Sequence, residues 1–194
     1  KRLGLLTIAG VLALWFSHPS LFILAGIGLS LAYFYFQKRE LANVGLVAGM
    51  GVLWLLNVGL LFSLTLGDLR GNSYMREYWQ GGFAPMPPWS DWGWYLTSFQ
   101  KNMDTLFAIT YAPWIMFVLM MAGFIMLFKQ KRDLAIAITA ILFFTLLASS
   151  LELYPSLERM VLFLIPVSIL LIGKTLENIG QRLREISIVS TLTL

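Results

Sequence analysis

The most chemically pointed group in this sequence is Arg159, which closes the run Tyr154-Pro155-Ser156-Leu157-Glu158-Arg159 just ahead of an apolar stretch. A guanidinium is a planar fork of N–H donors, and at such a place it is suited to clamp a phosphate or pyrophosphate. The competing readings are pairing with Glu152 or Glu158, or snorkelling to lipid headgroups. Arg70 and Arg76 invite the same two readings. His18, the single histidine, stands in Ser17-His18-Pro19-Ser20. It could carry a proton or contact a phosphate, against a plain role as a polar turn residue. Glu77 lies among aromatics in Tyr74-Met75-Arg76-Glu77-Tyr78-Trp79. A general base is a carboxylate held near its acceptor, yet no pair among Asp68, Glu77, Asp91, Asp104 and Glu152 has a spacing that imposes that geometry.

Other chemistries are closed by composition. There is no cysteine, which removes disulfides, thiolate zinc sites, iron–sulfur clusters and a thiol nucleophile. One histidine excludes a multi-His metal site, so no metal and no cofactor are expected. The net charge of +4 carries no implication of a nucleic-acid partner, because the basic residues sit where a membrane protein keeps them.

Those residues are positioned by a chain that is 58% hydrophobic and 12% charged, where an ordinary soluble domain carries roughly 25% charged residues. A soluble fold of this length could not hide so much apolar surface. The expected fold is therefore an all-α polytopic transmembrane bundle, a single domain over 1–194. The first residue is Lys1 rather than Met, as in a processed chain or a piece of something longer. A bilayer core of roughly 30 Å needs about 20 apolar residues as a helix. Six apolar runs answer to this: Leu3–Phe16, Leu21–Phe36, Leu41–Leu66, Ala108–Phe128, Leu134–Leu151 and Met160–Gly173. The first is short, a truncated span or one arm of a hairpin with the second.

Ten of the fourteen basic residues fall on one side of these six runs: Lys1, Arg2, Lys38, Arg39, Lys129, Lys131, Arg132, Lys174, Arg182 and Arg184. The other side receives Arg70, Arg76, Lys101 and Arg159, mixed with six acids. By the positive-inside rule both termini face the cytoplasm, and the membrane expected is the plasma membrane. Almost nothing ionisable lies within the spans. Asn57, Ser63, Ser149 and Ser150 are the main polar groups there, which argues against a transporter or pump.

The long outer loop, 67–107, holds Tyr74, Tyr78, Trp79, Phe83, Trp89, Trp92, Trp94 and Tyr95, too aromatic for a solvated chain. Three prolines within four residues, at Pro85, Pro87 and Pro88, keep its centre from being helical. After it, Ser90 or Asp91 can cap a helix. Trp92, Tyr95, Leu96, Phe99, Met103, Leu106 and Phe107 then recur at helical spacing, an amphipathic helix lying in the interface. The aromatics either anchor at headgroup level or help form a lid or groove for a lipid-linked or carbohydrate ligand, Trp79 included, since sugar rings stack on aromatic faces.

Three stretches together carry a resemblance: Trp15-Phe16-Ser17-His18-Pro19-Ser20; Tyr78-Trp79-Gln80-Gly81-Gly82-Phe83-Ala84-Pro85-Met86-Pro87-Pro88; and Tyr154-Pro155 with Arg159 and Phe163-Leu164-Ile165-Pro166. They resemble the C-terminal half of bacterial multi-spanning proteins related to the dolichyl-phosphate-mannose mannosyltransferases, which are GT-C-type glycosyltransferases with a polyprenyl-phosphate sugar as donor. The resemblance implies part of such an enzyme, with Arg159 as phosphate contact and Tyr154, His18, Arg76, Glu77 and Trp79 as further binding candidates. That family keeps its catalytic acid in the first outer loop of an N-terminal half with no counterpart here, so the catalytic residue is unknown. The alternatives are a non-catalytic integral membrane subunit packed against a membrane protein partner in a larger complex, and a small transporter.

Overall fold

The computed structural model describes residues 2–66, 77–108 and 112–192, and within them the regular structure is entirely helical. We number the helices α1 (Arg2–Phe16), α2 (Ser20–Gln37), α3 (Leu41–Leu61), α4 (Trp92–Phe107), α5 (Pro113–Gln130), α6 (Arg132–Ser150) and α7 (Ile165–Leu192). A π-helical stretch, Phe62–Leu66, continues α3, and a 3-10 stretch, Glu158–Leu164, leads into α7. Five helical segments are long and apolar enough to cross a membrane: Ser20–Gln37, Leu41–Leu64, Pro113–Gln130, Arg132–Ser150 and Glu158–Arg184. The chain is an integral membrane protein of the all-α, polytopic kind. Helix α1 has 15 residues, about 22 Å at the roughly 1.5 Å rise of an α-helix, and lies against α3 as an apolar companion shorter than a full span.

Two boundaries differ from the apolar runs for visible reasons. The fourth span begins at Pro113, because Ala108 takes the left-handed conformation (φ 52°) and returns its N–H to the Asp104 carbonyl at 2.7 Å, which ends α4. Proline then opens α5, where its missing N–H would have had no helical partner anyway. The last helix does not stop at Gly173. It runs on to Leu192, with Lys174 paired to Glu177 at 2.9 Å on its flank, since one glycine lowers helix propensity without breaking the ladder.

Contacts order the helices as α1, α3, α2, α6, α5, α7. Apolar burial between helices counts for little when lipid is as apolar as leucine, so close backbone approach and interhelical hydrogen bonds must hold them. Both are present. At Gly26 of α2 a side chain would put its Cβ 2.6 Å from the Ala137 carbonyl oxygen and 2.6 Å from Ile141 Cγ1 of α6. At Gly123 of α5 a Cβ would land on the Leu171 carbonyl of α7, where Thr175 Oγ1 also donates to the Leu119 carbonyl at 2.7 Å. Trp54 Nε1 of α3 donates to the Thr7 carbonyl of α1 at 3.1 Å. Two apolar clusters fill what remains, Leu14, Leu24, Val47, Met50, Trp54 and Leu61 on one side of the seam and Leu127, Ile138 and Leu171 on the other.

The bundle has two unlike ends. Lys38 and Arg39 follow α2 at one end, where the α5–α6 turn places Lys131 and Arg132; we call it the basic end. The α1–α2 turn, residues 77–91, α4 and the 151–157 turn gather at the aromatic end. If the glycine contact holds α5 to α7, Gly123→Ala should cost about 1–3 kcal/mol of stability through overpacking. Gly49→Ala, where a Cβ meets nothing within 4 Å, should leave stability unchanged or raise it. Thermal unfolding of both variants in detergent measures the difference.

Candidate functional site at the aromatic end

The centre of this end is a buried hydroxyl. Ser149, 0% exposed, is the next-to-last residue of α6. Its Oγ accepts the Ala84 N–H at 2.9 Å and donates to the Gly82 carbonyl at 3.2 Å, with Ser156 Oγ 3.0 Å away. The Ser156 N–H donates to the same Gly82 carbonyl at 2.8 Å. One neighbour along, the Gly81 carbonyl accepts from Trp94 Nε1 of α4 at 3.0 Å. The loop therefore lies down on the bundle through its own backbone. A buried N–H or C=O left unpaired would cost about 1–3 kcal/mol, so these bonds are what allow non-helical chain to sit here.

A second clamp sets Arg159. Asn102 of α4 donates through Nδ2 to the Ser156 carbonyl at 3.0 Å and accepts the Glu158 N–H on Oδ1 at 3.0 Å. Between those grips Leu157 is buried and extended, and Glu158 takes φ 55°, a left-handed conformation unusual for a residue with a Cβ. The 3-10 stretch starts there and presents Arg159, exposed, with its Cζ 5.8 Å from the centre of the Trp79 ring. That is cation–π distance. Among the described residues no carboxylate pairs with this guanidinium.

Tyr154 stands beside it in a different role. Its ring meets Phe22 of α2 at 5.2 Å and Phe163 at 6.5 Å between centroids, and its hydroxyl donates to the Met160 carbonyl at 2.7 Å. Burial pushes its pKa from 10.0 up to about 12. The phenol stays protonated at ordinary pH and braces the turn that carries Arg159.

The residues singled out in the sequence thus divide. Arg159 and Trp79 are brought together, while Tyr154 packs inward on Phe22 and Phe163 and bonds the Met160 carbonyl. Glu77 is exposed two residues before Trp79, in a short helical turn, and His18 is exposed in the α1–α2 turn at the same end; neither bonds to Arg159 or Trp79. Arg76, like Arg70 and Asp68, lies outside the described residues. Asp91 is the cap of α4, accepting the Trp94 N–H on Oδ1 at 3.0 Å. The apolar stripe expected on α4 holds over most of its length, with Tyr95, Phe99, Leu106 and Phe107 part-buried and Gln100, Lys101 and Asp104 exposed. Trp92 and Leu96 are exposed, at 70% and 52%, while Ser98 and Met103 are buried.

Ser149 stood out only as a polar residue in an apolar run, and Ser156, Asn102 and the Gly82 carbonyl gave no signal at all. A helical hydroxyl often bonds its own preceding turn, as Thr145 does to the Ile141 carbonyl at 2.7 Å, so the residue type alone does not announce a long-range partner. No protein family, curated protein or solved structure matches this chain.

Removing the Ser149 hydroxyl leaves the buried Ala84 N–H without an acceptor. Ser149→Ala should cost about 1–3 kcal/mol and loosen residues 79–84, seen as faster amide exchange there, while Ser150→Ala leaves that exchange unchanged. Tyr154 gives a pH signature. Its folded pKa is raised above the unfolded value, so the stabilisation is complete below pH 10.0 and is lost as pH climbs toward about 12. Alkaline unfolding should begin in that window, and Tyr154→Phe should remove this component of the pH dependence.

Proposed function

We propose that this protein binds a polyprenyl-phosphate-linked sugar at its aromatic end, as the lipid-phosphate-holding part of a membrane glycosyltransferase. The observation that carries it is Arg159: exposed, without a carboxylate partner among the described residues, and held at a left-handed turn by Asn102 over the Trp79 ring. A cation placed this way has free donors for a phosphate, and the neighbouring aromatics offer surface for a sugar ring or the first isoprene units. Sugar transfer itself is supported by the resemblance alone. The catalytic carboxylate of that family belongs to a half without counterpart in this chain, and the exposed Glu77 has no acid or base beside it to form a dyad. We place the basic end in the cytoplasm of a bacterial cell and the aromatic end outside, on the charge asymmetry of the loops.

Binding of a short-chain polyprenyl phosphate to the detergent-solubilised chain should weaken roughly 10- to 150-fold in Arg159→Ala, the loss of a charged hydrogen bond of about 1.5–3 kcal/mol. Trp79→Leu should weaken it only roughly two- to fivefold, at about 0.5–1 kcal/mol for an exposed cation–π contact. Equal binding of the parent polyprenol, which has no phosphate, would show that Arg159 is no phosphate clamp. A stable stoichiometric protein partner with no dependence on lipid phosphate would favour an accessory subunit instead. The absence of cysteine makes orientation simple to measure. An impermeant maleimide should label Ser90→Cys in intact cells and Lys129→Cys only after permeabilisation.

A further inference from the structure

The opposite end of the bundle carries a site of its own. Where α2 and α6 part at the basic end, they leave a shallow, wide-open depression of about 370 Å³, lined by Tyr33, Phe34 and Gln37 of α2 and by residues 130–133 of the α5–α6 turn. Three spans end at its wall: Gln37 closes one, Gln130 another, and Arg132 opens a third. The depression therefore lies at the level where the apolar spans end, where hydrocarbon gives way to headgroups.

The charges there are uncompensated. Lys131 and Arg132 reach the depression, and neither forms an ion pair or a side-chain hydrogen bond among the described residues, nor does Asp133. Two cations against one carboxylate leave one net positive charge on the wall. Lys38 stands beside it with its Nζ 4.2 Å from the centre of the Phe34 ring. No side chain caps α6, whose first residue is Arg132, so its opening N–H groups add to the attraction for an anion. A small depression with uncompensated cations at membrane-surface depth is the form in which a phosphate-bearing headgroup is held.

We propose that this depression binds the headgroup of an anionic phospholipid, with Lys131 and Arg132 on the phosphate. Asp133 sets a preference for a singly charged phosphodiester over a doubly charged phosphomonoester, and the Gln37 and Gln130 amides suit a headgroup hydroxyl. The site is independent of the one at Arg159, and it would fix the seam between α2 and α6 from the cytoplasmic side.

The test uses the full chain in nanodiscs of phosphatidylcholine with increasing phosphatidylglycerol, and reads the lipid retained on the protein by native mass spectrometry. Lys131→Gln with Arg132→Gln should hold phosphatidylglycerol about 30-fold more weakly, from roughly fivefold per lost cation. Asp133→Asn should retain more than the unaltered protein. A matched pair at the same end but away from the depression, Arg182→Gln with Arg184→Gln, should retain as much as the unaltered protein. Equal loss from both pairs would mean diffuse surface attraction and overturn the site, as would no loss from either. Glycerol phosphate or inorganic phosphate that displaced the lipid at millimolar concentration would overturn the lipid as its occupant and leave a site for free phosphate.

Discussion

Everything in this molecule hangs on the seam between α2 and α6. It joins a half made of α1, α3 and α2 to a half made of α6, α5 and α7. At its middle, Gly26 lets the two backbones approach until the Ala137 carbonyl occupies the space a side chain would need. At one end, Phe22 packs against Tyr154 and Phe163. At the other, Tyr33 and Phe34 face the α5–α6 turn across a depression. One interface thus sets both the Phe22–Tyr154–Phe163 cluster at one end and the basic pocket at the other. In a bilayer such an interface rests on shape, because lipid replaces apolar contacts nearly one for one.

The aromatic end answers a second constraint. Chain that is neither helix nor strand must satisfy its backbone groups before it can lie near lipid. Residues 79–84 do so by handing the Gly81 and Gly82 carbonyls and the Ala84 N–H to Trp94, Ser149 and Ser156. The left-handed residue Glu158 is a local strain that the Asn102 amide holds in place. Arg159 is the next residue along. Its position over Trp79 is therefore inherited from a chain of backbone bonds and owes little to its own side chain.

The two ends are chemically complementary to two sides of a membrane. One presents lysine and arginine beside short turns. The other presents aromatic rings and the Arg159 guanidinium, which has no carboxylate partner among the described residues. The cations differ in their surroundings: at the basic end Asp133 lies beside Lys131 and Arg132, while Arg159 sits over the Trp79 ring.

Much of this was written in the sequence. Long apolar runs bounded by charges demand helices that satisfy their own backbone in lipid, so the class of fold, the number of full spans to within the short first helix, and the interfacial helix capped by Asp91 all follow from local composition and spacing. Arg159 and Trp79 could be singled out for the same reason, as polar and aromatic groups at span ends. Their meeting could not. Nor could the bonds that Asn102 makes to the 156–158 turn, the task of Ser149, or the pocket between Tyr33 and Lys131. Each depends on which carbonyl or ring arrives from a distant helix, through contacts between residues 54 to 80 or more positions apart in the chain, and no local period of hydrophobicity encodes that pairing. The pocket is decided when α2 and α6 close on each other, and the setting of Arg159 when α4, the end of α6 and residues 81–84 meet.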